Sequence, residues 1–195
     1  QRFEAPIVKG RDPHALQDLN RHIAPFILRR MKKDVLQELP DKVEGKMVNE
    51  MTAKQAKVYA GYLMQAKKEF ATALKAHGFD QSRIRILAIL TRLRQICCHP
   101  ALFLEDYSGG CGKLDMLEEV VEDAVAAGHR LLIFSQFTTM LKIIGDKLRR
   151  QGIAYEYLDG QTPAIERMRL VKSFNAGVQP IFLISLKAGG TGLNL

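Results

Sequence analysis

The sequence predicts an α/β fold, a parallel sheet with flanking helices, preceded by a mainly α-helical region. Three observations predict it. Residues 112–195 alternate short apolar runs with amphipathic helical stretches, which is the pattern of βαβ units. Residues 52–99 carry apolar side chains at helical spacing instead. The glycine-rich stretch "EDYSGGCGK", residues 105–113, separates the two patterns and marks the best domain boundary.

The α/β region is predicted to contain a helix followed by three strands with a helix between each pair. Gly128 should end the first helix, and Thr162 should cap the third, with Pro163 in its first turn. Strands joined by helices pair in parallel and have helices on both faces of their sheet. The predicted helices are 112–128, 138–152 and 162–177, and the predicted strands are 130–137, 153–160 and 180–186.

The preceding region is predicted to hold two helices. Thr52 and Gln55 form a capping-box pattern that opens a long helix, which Gly78 should close. A second helix follows from about Ser82 and must stop before Pro100. Residues 39–51 read as a turn and then a strand. The predicted domains are therefore 1–51, 52–111 and 112–195.

The charge of the chain favours a polyanionic partner. Of the net charge of +8, residues 1–111 carry +7 and residues 112–195 carry +1. A solvated basic face is the alternative, and composition leaves it open. The longest uncharged stretch, residues 173–186, is too short to span a bilayer, so no membrane role is expected. Three cysteines do not make a disulfide framework, which favours an intracellular location.

Three polar or glycine-rich segments directly follow the predicted strands, where open parallel sheets bind ligands. The segments are "SQFT" (135–138), "LDGQT" (158–162) and "SLKAGGTGLNL" (185–195). The last can expose backbone N–H groups, and Lys187 adds a positive charge. Ordinary turn chemistry explains any one of the three, but three on one edge favour a binding site.

Other motifs give weaker signals. No Lys-Ser/Thr follows the glycines of residues 189–192, and "SGGCGKLD" (108–115) lacks the first glycine and the final Ser/Thr, so neither is a P-loop. "CCHP" (97–100) with Cys111 invites a zinc site, but without a second spaced pair buried thiols are favoured, and no metal site is predicted. The basic cluster "LRRMKK" (28–33) is either a binding surface or a solvated helix face.

Six blocks of the sequence resemble the Swi/Snf-type ATPases of helicase superfamily two. They cover the chain from about Ala24 to Leu195 in the order seen in that family. The sequence of the last block is more similar to bacterial members of the family than to the remodelers of eukaryotic chromatin. The blocks are "APFILRRMKKDVLQELPDK", "LTRLRQICCHP", "GKLDMLEE", "RLLIFSQFTTML", "YEYLDGQTPAIERMRLVKSFN" and "IFLISLKAGGTGLNL".

The resemblance implies a RecA-like second motor lobe with a helical insertion, cut before motif VI. On this basis residues 1–51 are the inter-lobe linker and the start of lobe two, residues 52–111 the insertion, and residues 112–195 the RecA-like lobe. "SQFT" is similar to motif IV and "SLKAGGTGLNL" to motif V, which contacts both the DNA backbone and the nucleotide cleft. The implied DNA-binding residues are Ser135, Gln136, Ser185, Lys187 and Gly189, and the implied nucleotide-cleft residues are Gly190, Thr191, Gly192 and Asn194.

The activity implied by the resemblance is ATP-dependent translocation along double-stranded DNA. ATP and Mg²⁺ would be held mainly by a first RecA-like lobe. The expected partners of the chain are therefore double-stranded DNA and this first lobe. No catalytic residue is expected within residues 1–195, so the chain alone should hydrolyse no ATP. The expected location is the cytoplasm or nucleoid of a bacterium, or the nucleus of a eukaryote.

Two alternatives remain beside this reading. One is a strand-separating helicase or RNA-dependent ATPase of the same superfamily, against which the "LRRMKKDV" and "LRQICCHP" blocks argue. The other is a non-catalytic protein-interaction module that uses the α/β region only as a scaffold.

Overall fold

A computed structural model describes residues 3–27, 43–190, 193 and 195, with the backbone alone for residues 73–81. Contacts divide the chain into two compact units, Gln1–Lys46 and Met47–Leu195. No helix of the described residues is long and apolar enough to cross a membrane. The helices are α1 (Pro13–Ile23), α2 (Ala53–Cys98), α3 (Gly112–Ala126), α4 (Thr138–Arg150), α5 (Ala164–Asn175) and α6 (Leu186–Gly189), and the strands are β1 (Leu131–Ser135), β2 (Tyr155–Leu158) and β3 (Ile181–Ser185).

The first unit contains a π-helical turn, Ala5–Lys9, followed by α1. The carboxylate of Asp12 begins α1 by accepting a hydrogen bond from His14 N at 2.9 Å. The basic cluster at 28–33 lies outside the described residues, and the assignment of residues 1–51 to a linker stays a prediction.

The three strands form one parallel sheet in the order β1-β3-β2. Leu131 and Tyr155 both pair with Ile181, so all three strands start at the same level of the sheet. The predicted parallel α/β architecture is confirmed. The strand β3 is central because the connection through α4 leaves a gap of one strand between β1 and β2, and β3 fills this gap.

The core lies on both faces of β3, which is buried along its whole length. Alternate side chains of a strand point to opposite faces. Ile181 and Leu183 accordingly pack with α3 and α4, whereas Phe182 and Ile184 pack with α5. Helices therefore cover both faces of the sheet, as predicted.

The predicted end of α3 is confirmed, whereas the predicted cap of α5 is wrong. Gly128 has φ +76°, and its N–H donates to the carbonyl oxygen of Val125 at 3.0 Å just beyond α3. At α5 the N-cap position is occupied by Pro163, which makes no side-chain cap. Thr162 Oγ1 instead accepts a hydrogen bond from Asp159 N at 3.1 Å, because Asp159 organises the preceding turn.

The long helix α2 folds back on itself. A straight helix of 46 residues would be about 69 Å long. Yet Gln55 Nε2, near its start, donates to the carbonyl oxygen of Ile96, near its end, at 2.9 Å. The element therefore reverses direction between them, with no non-helical residue separating its two arms.

Two predictions for this region are wrong in detail. Gly78 does not end a helix, because glycine weakens a helix by about 1 kcal/mol yet keeps its N–H donor and can continue it. Residues 43–51 form no strand, and residues 39–42 lie outside the described chain. The start of α2 is as predicted, since Thr52 Oγ1 accepts a hydrogen bond from Gln55 N at 3.2 Å.

His99 ends α2 and caps the 3₁₀ turn that follows. The residue is 9% exposed, its ring stands edge-on to that of Tyr107, and its Nδ1 accepts a hydrogen bond from Ala101 N at 3.1 Å. Burial lowers the pKa of His99 below its usual value of 6.5, and the carboxylate of Asp115 opposes this shift. The capping bond needs the neutral ring, because a protonated Nδ1 has no lone pair.

Acidification should therefore weaken the fold through His99. A lowered folded-state pKa contributes stability that is present above the unfolded pKa and is lost as pH falls through the folded value. We expect the free energy of unfolding to fall from pH 7 towards pH 5, measured by urea denaturation. The variant His99→Asn keeps a capping acceptor without a titrating ring, so it should show a flatter pH profile. An unchanged profile would contradict this role.

Candidate nucleic-acid interface

The carboxyl ends of the three strands bring the three predicted segments to one edge of the sheet. Ser135, the last residue of β1, pairs in register with Ser185, the last residue of β3. Leu158, the last residue of β2, pairs with Ile184 on the other side of β3. The loops that follow therefore leave the sheet side by side, about 5 Å apart from strand to strand.

The first loop offers a hydroxyl and an amide. Ser135 is half-buried, and its Oγ accepts a hydrogen bond from Phe137 N at 3.1 Å, which positions the start of α4. An accepting hydroxyl keeps its own proton, so Ser135 can still donate to a ligand. Gln136 is exposed, and its Oε1 accepts a hydrogen bond from the guanidinium of Arg94 in α2.

Ser185 does not offer a surface group. It is only 3% exposed, and its Oγ accepts a hydrogen bond from Ala188 N at 3.3 Å. Ser185 thereby caps the short helix α6. This differs from the expectation of a direct DNA contact, because the end of the central strand is covered on both faces. Ser185 shapes the loop through this bond, and its contact with DNA stays a prediction.

Lys187 is the free cation of this loop. It lies in α6, its side chain is exposed, and none of the residues that the structure describes pairs with it. A flexible, exposed ammonium group beside backbone N–H groups suits a phosphate without reading a base.

The two glycines after Lys187 differ in what they require. A Cβ on Gly189 would lie 2.8 Å from the Phe134 ring and 3.0 Å from Ile184 Cγ2, so this position needs glycine for close packing. A Cβ on Gly190 would meet only Leu186 O, at 3.4 Å, an ordinary contact. The steric requirement for glycine therefore falls on Gly189, an implied DNA-binding residue, and not on Gly190, an implied nucleotide-cleft residue.

The nucleotide-cleft residues are described only in part. Gly190 N donates to Leu186 O at 3.2 Å, so this N–H is already used within the loop. The other three, Thr191, Gly192 and Asn194, lie outside the described residues. Gly190 therefore does not offer its N–H to a phosphate, and the nucleotide-cleft role of the four residues stays a prediction.

The loop after β2 is held by its own hydrogen bonds. Asp159 Oδ1 accepts from Gln161 N at 2.9 Å, and Asp159 Oδ2 accepts from the hydroxyl of Tyr157 at 3.0 Å. Burial, with the hydrogen bond to Asp159 next in importance, raises the pKa of Tyr157 to about 12. Arg167 Nε closes the loop by donating to Thr162 O at 2.8 Å. These contacts favour turn structure for "LDGQT".

The cysteines and His99 do not form a metal centre. Among the side chains that the structure describes in residues 3–27, 43–72 and 82–190, no group of three or more His, Cys, Asp or Glu is placed to hold an ion. Cys111 is buried, and its Sγ donates to Cys98 O at 3.1 Å. Burial raises the pKa values of Cys97 and Cys98, with the charge of Lys113 opposing it, so both favour the thiol form.

Arg94 is the residue that sequence reasoning missed. It lies within "LTRLRQICCHP", a block used above only as a family marker. Its contact with Gln136 joins residues 42 positions apart. Local spacing carries no signal for such a pair, and only its position next to other basic residues could have suggested it.

Comparisons with known proteins show which family the chain resembles. The model of the SNF2-related domain matches residues 1–102, and that of the helicase conserved C-terminal domain matches residues 112–195. The chromodomain-helicase-DNA-binding protein 1-like of Danio rerio is 37% identical over 195 residues, covering 94% of this chain and 18% of that protein. YwqA of Bacillus subtilis, whose name proposes an ATP-dependent helicase or translocase, is 36% identical and covers 100% of this chain and 22% of that protein.

A solved structure has the same fold. The Sulfolobus solfataricus SWI2/SNF2 ATPase core in complex with dsDNA superimposes with a TM-score of 0.64 at 30% identity, covering 94% of this chain and 40% of that one. The chain spans about a fifth of the length of the curated relatives it matches. Both matched domains and the RecA-like α/β fold agree with the resemblance drawn from the six blocks. The chain belongs to the SNF2-related family of Swi/Snf-type ATPases and carries the family's helicase C-terminal domain in residues 112–195.

Proposed function

We propose that this chain is the second motor lobe, with its helical insertion, of an ATP-dependent translocase that moves along double-stranded DNA. The observation that carries the proposal is the pairing of Ser135 with Ser185. It brings the Gln136 loop and the Lys187 loop to one edge, where their polar groups can follow a phosphate backbone. Contacts of this kind hold DNA regardless of sequence, which a translocase requires.

The family relatives support the same proposal. One similar solved structure is described as a SWI2/SNF2 ATPase core bound to dsDNA, and a bacterial relative carries the name of a helicase or translocase. On this analogy the DNA partner is a duplex, and a first RecA-like lobe is the second partner. We place the protein inside the cell, in the nucleoid of a bacterium or the nucleus of a eukaryote, where its DNA lies.

ATP and Mg²⁺ are the cofactors that this function requires. When bound, they would supply the phosphoryl transfer that drives movement. Among the described residues of the loop, Gly190 does not offer its N–H to a nucleotide, because this N–H donates within the loop. We therefore propose that a first lobe holds most of the nucleotide. The second lobe, which this chain forms, would contribute Thr191, Gly192 and Asn194. The role of residues 112–195 would be to hold DNA and position the loop.

Binding and turnover assays with different nucleic acids test the proposed function. The 195-residue chain should bind duplexes of unrelated sequence alike, with Kd of order 10⁻⁴–10⁻⁶ M, and should weaken steeply as salt rises. ATP turnover by the intact protein should be stimulated by duplex DNA. Stimulation by RNA alone would favour the RNA-dependent alternative. Absence of nucleic-acid binding and of stimulation would favour the protein-interaction module.

Replacement of Lys187 by alanine should remove one phosphate contact. We expect the salt slope of duplex binding, measured by fluorescence anisotropy, to fall in magnitude by about 0.9. The midpoint of urea unfolding should stay unchanged, because an exposed lysine contributes little to stability.

Lys172→Ala is the matched control. Lys172 is also exposed, but it lies in the last turn of α5, which ends near the start of β3 and thus at the opposite edge of the sheet. Its replacement should leave the slope unchanged. Equal slopes for Lys187→Ala and the unmodified chain would show that Lys187 does not contact DNA.

A further inference from the structure

An arginine of the helical insertion contacts the proposed DNA-binding edge. Arg94 lies near the end of α2, and its Nη2 donates to Oε1 of Gln136, the first residue after β1. Both side chains are exposed. A residue of the insertion is thereby held at the carboxyl end of the sheet, next to the loop that begins at Ser185.

The end of α2 is anchored, so the position of Arg94 is fixed. Ile96 is fully buried, and its carbonyl oxygen accepts the hydrogen bond from the buried side chain of Gln55. Arg92 is committed elsewhere, because its guanidinium lies 5.3 Å from the Phe103 ring centroid and its Nη1 donates to Gln95 Oε1 at 3.0 Å. Arg92 and Arg94 are two residues apart, so their side chains are rotated by about 200° around the helix axis and point to nearly opposite sides of α2.

Arg94 has donors to spare. A guanidinium carries five N–H donors, and the contact with Gln136 uses one of them. No carboxylate among the residues that the structure describes lies within ion-pair distance of Arg94. Gln136 keeps its two amide N–H donors while its oxygen accepts from Arg94. The pair therefore combines one positive charge with several donors, which is the chemistry that binds a phosphate.

We propose that Arg94 and Gln136 together bind one phosphate of the duplex backbone. This inference rests on the proposed function of the same edge. The guanidinium donates to the phosphate oxygens, and the hydrogen bond between the two side chains holds both donors in place. The insertion then takes part in binding DNA. A change in how the sheet edge contacts the phosphate therefore also changes the contact of α2 with that phosphate.

Salt titrations of charge variants test this assignment with the 195-residue chain and a short duplex of arbitrary sequence. Arg94→Gln should reduce the magnitude of the salt slope by about 0.9, as for one lost phosphate contact. Arg94→Lys keeps the charge, so it should keep most of the slope but bind more weakly, because lysine lacks the planar fork. Arg92→Gln is the matched control and should leave the slope unchanged.

A second measurement separates the contact from a structural effect. Arg94 is exposed, so Arg94→Gln should unfold at the same urea concentration as the unmodified chain. The double variant Arg94→Gln/Gln136→Ala should lose less affinity than the sum of the two single variants, because one phosphate site is removed in each case.

Failure of this inference is distinguishable from failure of the proposed function. If Lys187→Ala lowers the slope while Arg94→Gln does not, the role of Arg94 is wrong and the DNA-binding edge stands. If the chain shows no salt-dependent duplex binding at all, the proposed function fails, and the assignment of Arg94 fails with it. If Arg94→Gln lowers the unfolding midpoint and leaves the slope unchanged, Arg94 is a structural link only.

Discussion

Replacement of Phe182 by alanine should lower the free energy of unfolding by about 3–5 kcal/mol, the range for removing a buried aromatic ring. Phe182 is 0% exposed at the centre of the sheet. Its ring packs on Phe174 of α5 with the centroids 5.4 Å apart. Domains of this size are stable by about 5–15 kcal/mol, so the variant should lose a large share of its stability. Urea denaturation followed by circular dichroism measures the loss.

Phe134→Ala is the matched control for Phe182→Ala. Phe134 lies on the neighbouring strand β1 and on the same face of the sheet, but it is 45% exposed. Its replacement should cost about 1 kcal/mol or less, since much of its ring is already in water. Similar losses for both variants would contradict the central, doubly covered position of β3.

The α/β elements could be predicted because their signals are local. Apolar runs, helical periodicity and a helix-ending glycine such as Gly128 depend on neighbouring residues only. The strand order β1-β3-β2 could not be read from spacing, because it depends on which strands pair across the sheet. The surplus of apolar residues in "PIFLISL" is the one local sign that β3 would be central.

The helical region was harder to predict because tertiary contacts decide it. Gln55 matched the capping-box pattern, but its side chain reaches across to Ile96 instead of back to Thr52. Gly78 was predicted to end a helix, because glycine is a helix-breaking residue. The structure instead keeps it within α2, which reverses direction without a non-helical residue. Propensity alone is a weak guide where packing fixes the ends of an element.

In the candidate site too, local signals could be predicted and tertiary contacts could not. Gln136 and Lys187 are exposed at the predicted edge, because the carboxyl ends of parallel strands always meet there. Ser185 proved to be buried, since burial depends on the layers above and below β3. The place of Arg94 depends on the hairpin of α2, which a linear sequence does not reveal.

Replacement of Gly112 by alanine should destabilise the contact between the start of α3 and residues 49–50. Gly112 is the first residue of α3. A Cβ there would overlap the backbone carbonyl oxygen of Glu50 and lie 3.1 Å from Asn49 Nδ2. A backbone carbonyl cannot rotate away as a side chain can. We therefore expect a loss at the upper end of the range for overpacking, about 3 kcal/mol, in urea denaturation.

Gly61→Ala provides a control of opposite sign for Gly112→Ala. Gly61 lies in α2, and a Cβ there would meet no atom within 4 Å. Alanine should raise the free energy of unfolding by about 0.5–1 kcal/mol, because it loses less backbone entropy than glycine in a helix. If Gly112→Ala were as stable as Gly61→Ala, residues 49–50 could not lie against the start of α3. The end of α2, and with it Arg94, would then be held at the start of α3 by the hydrogen bonds that Cys111 makes with Cys98 O and with Gln55 Nε2.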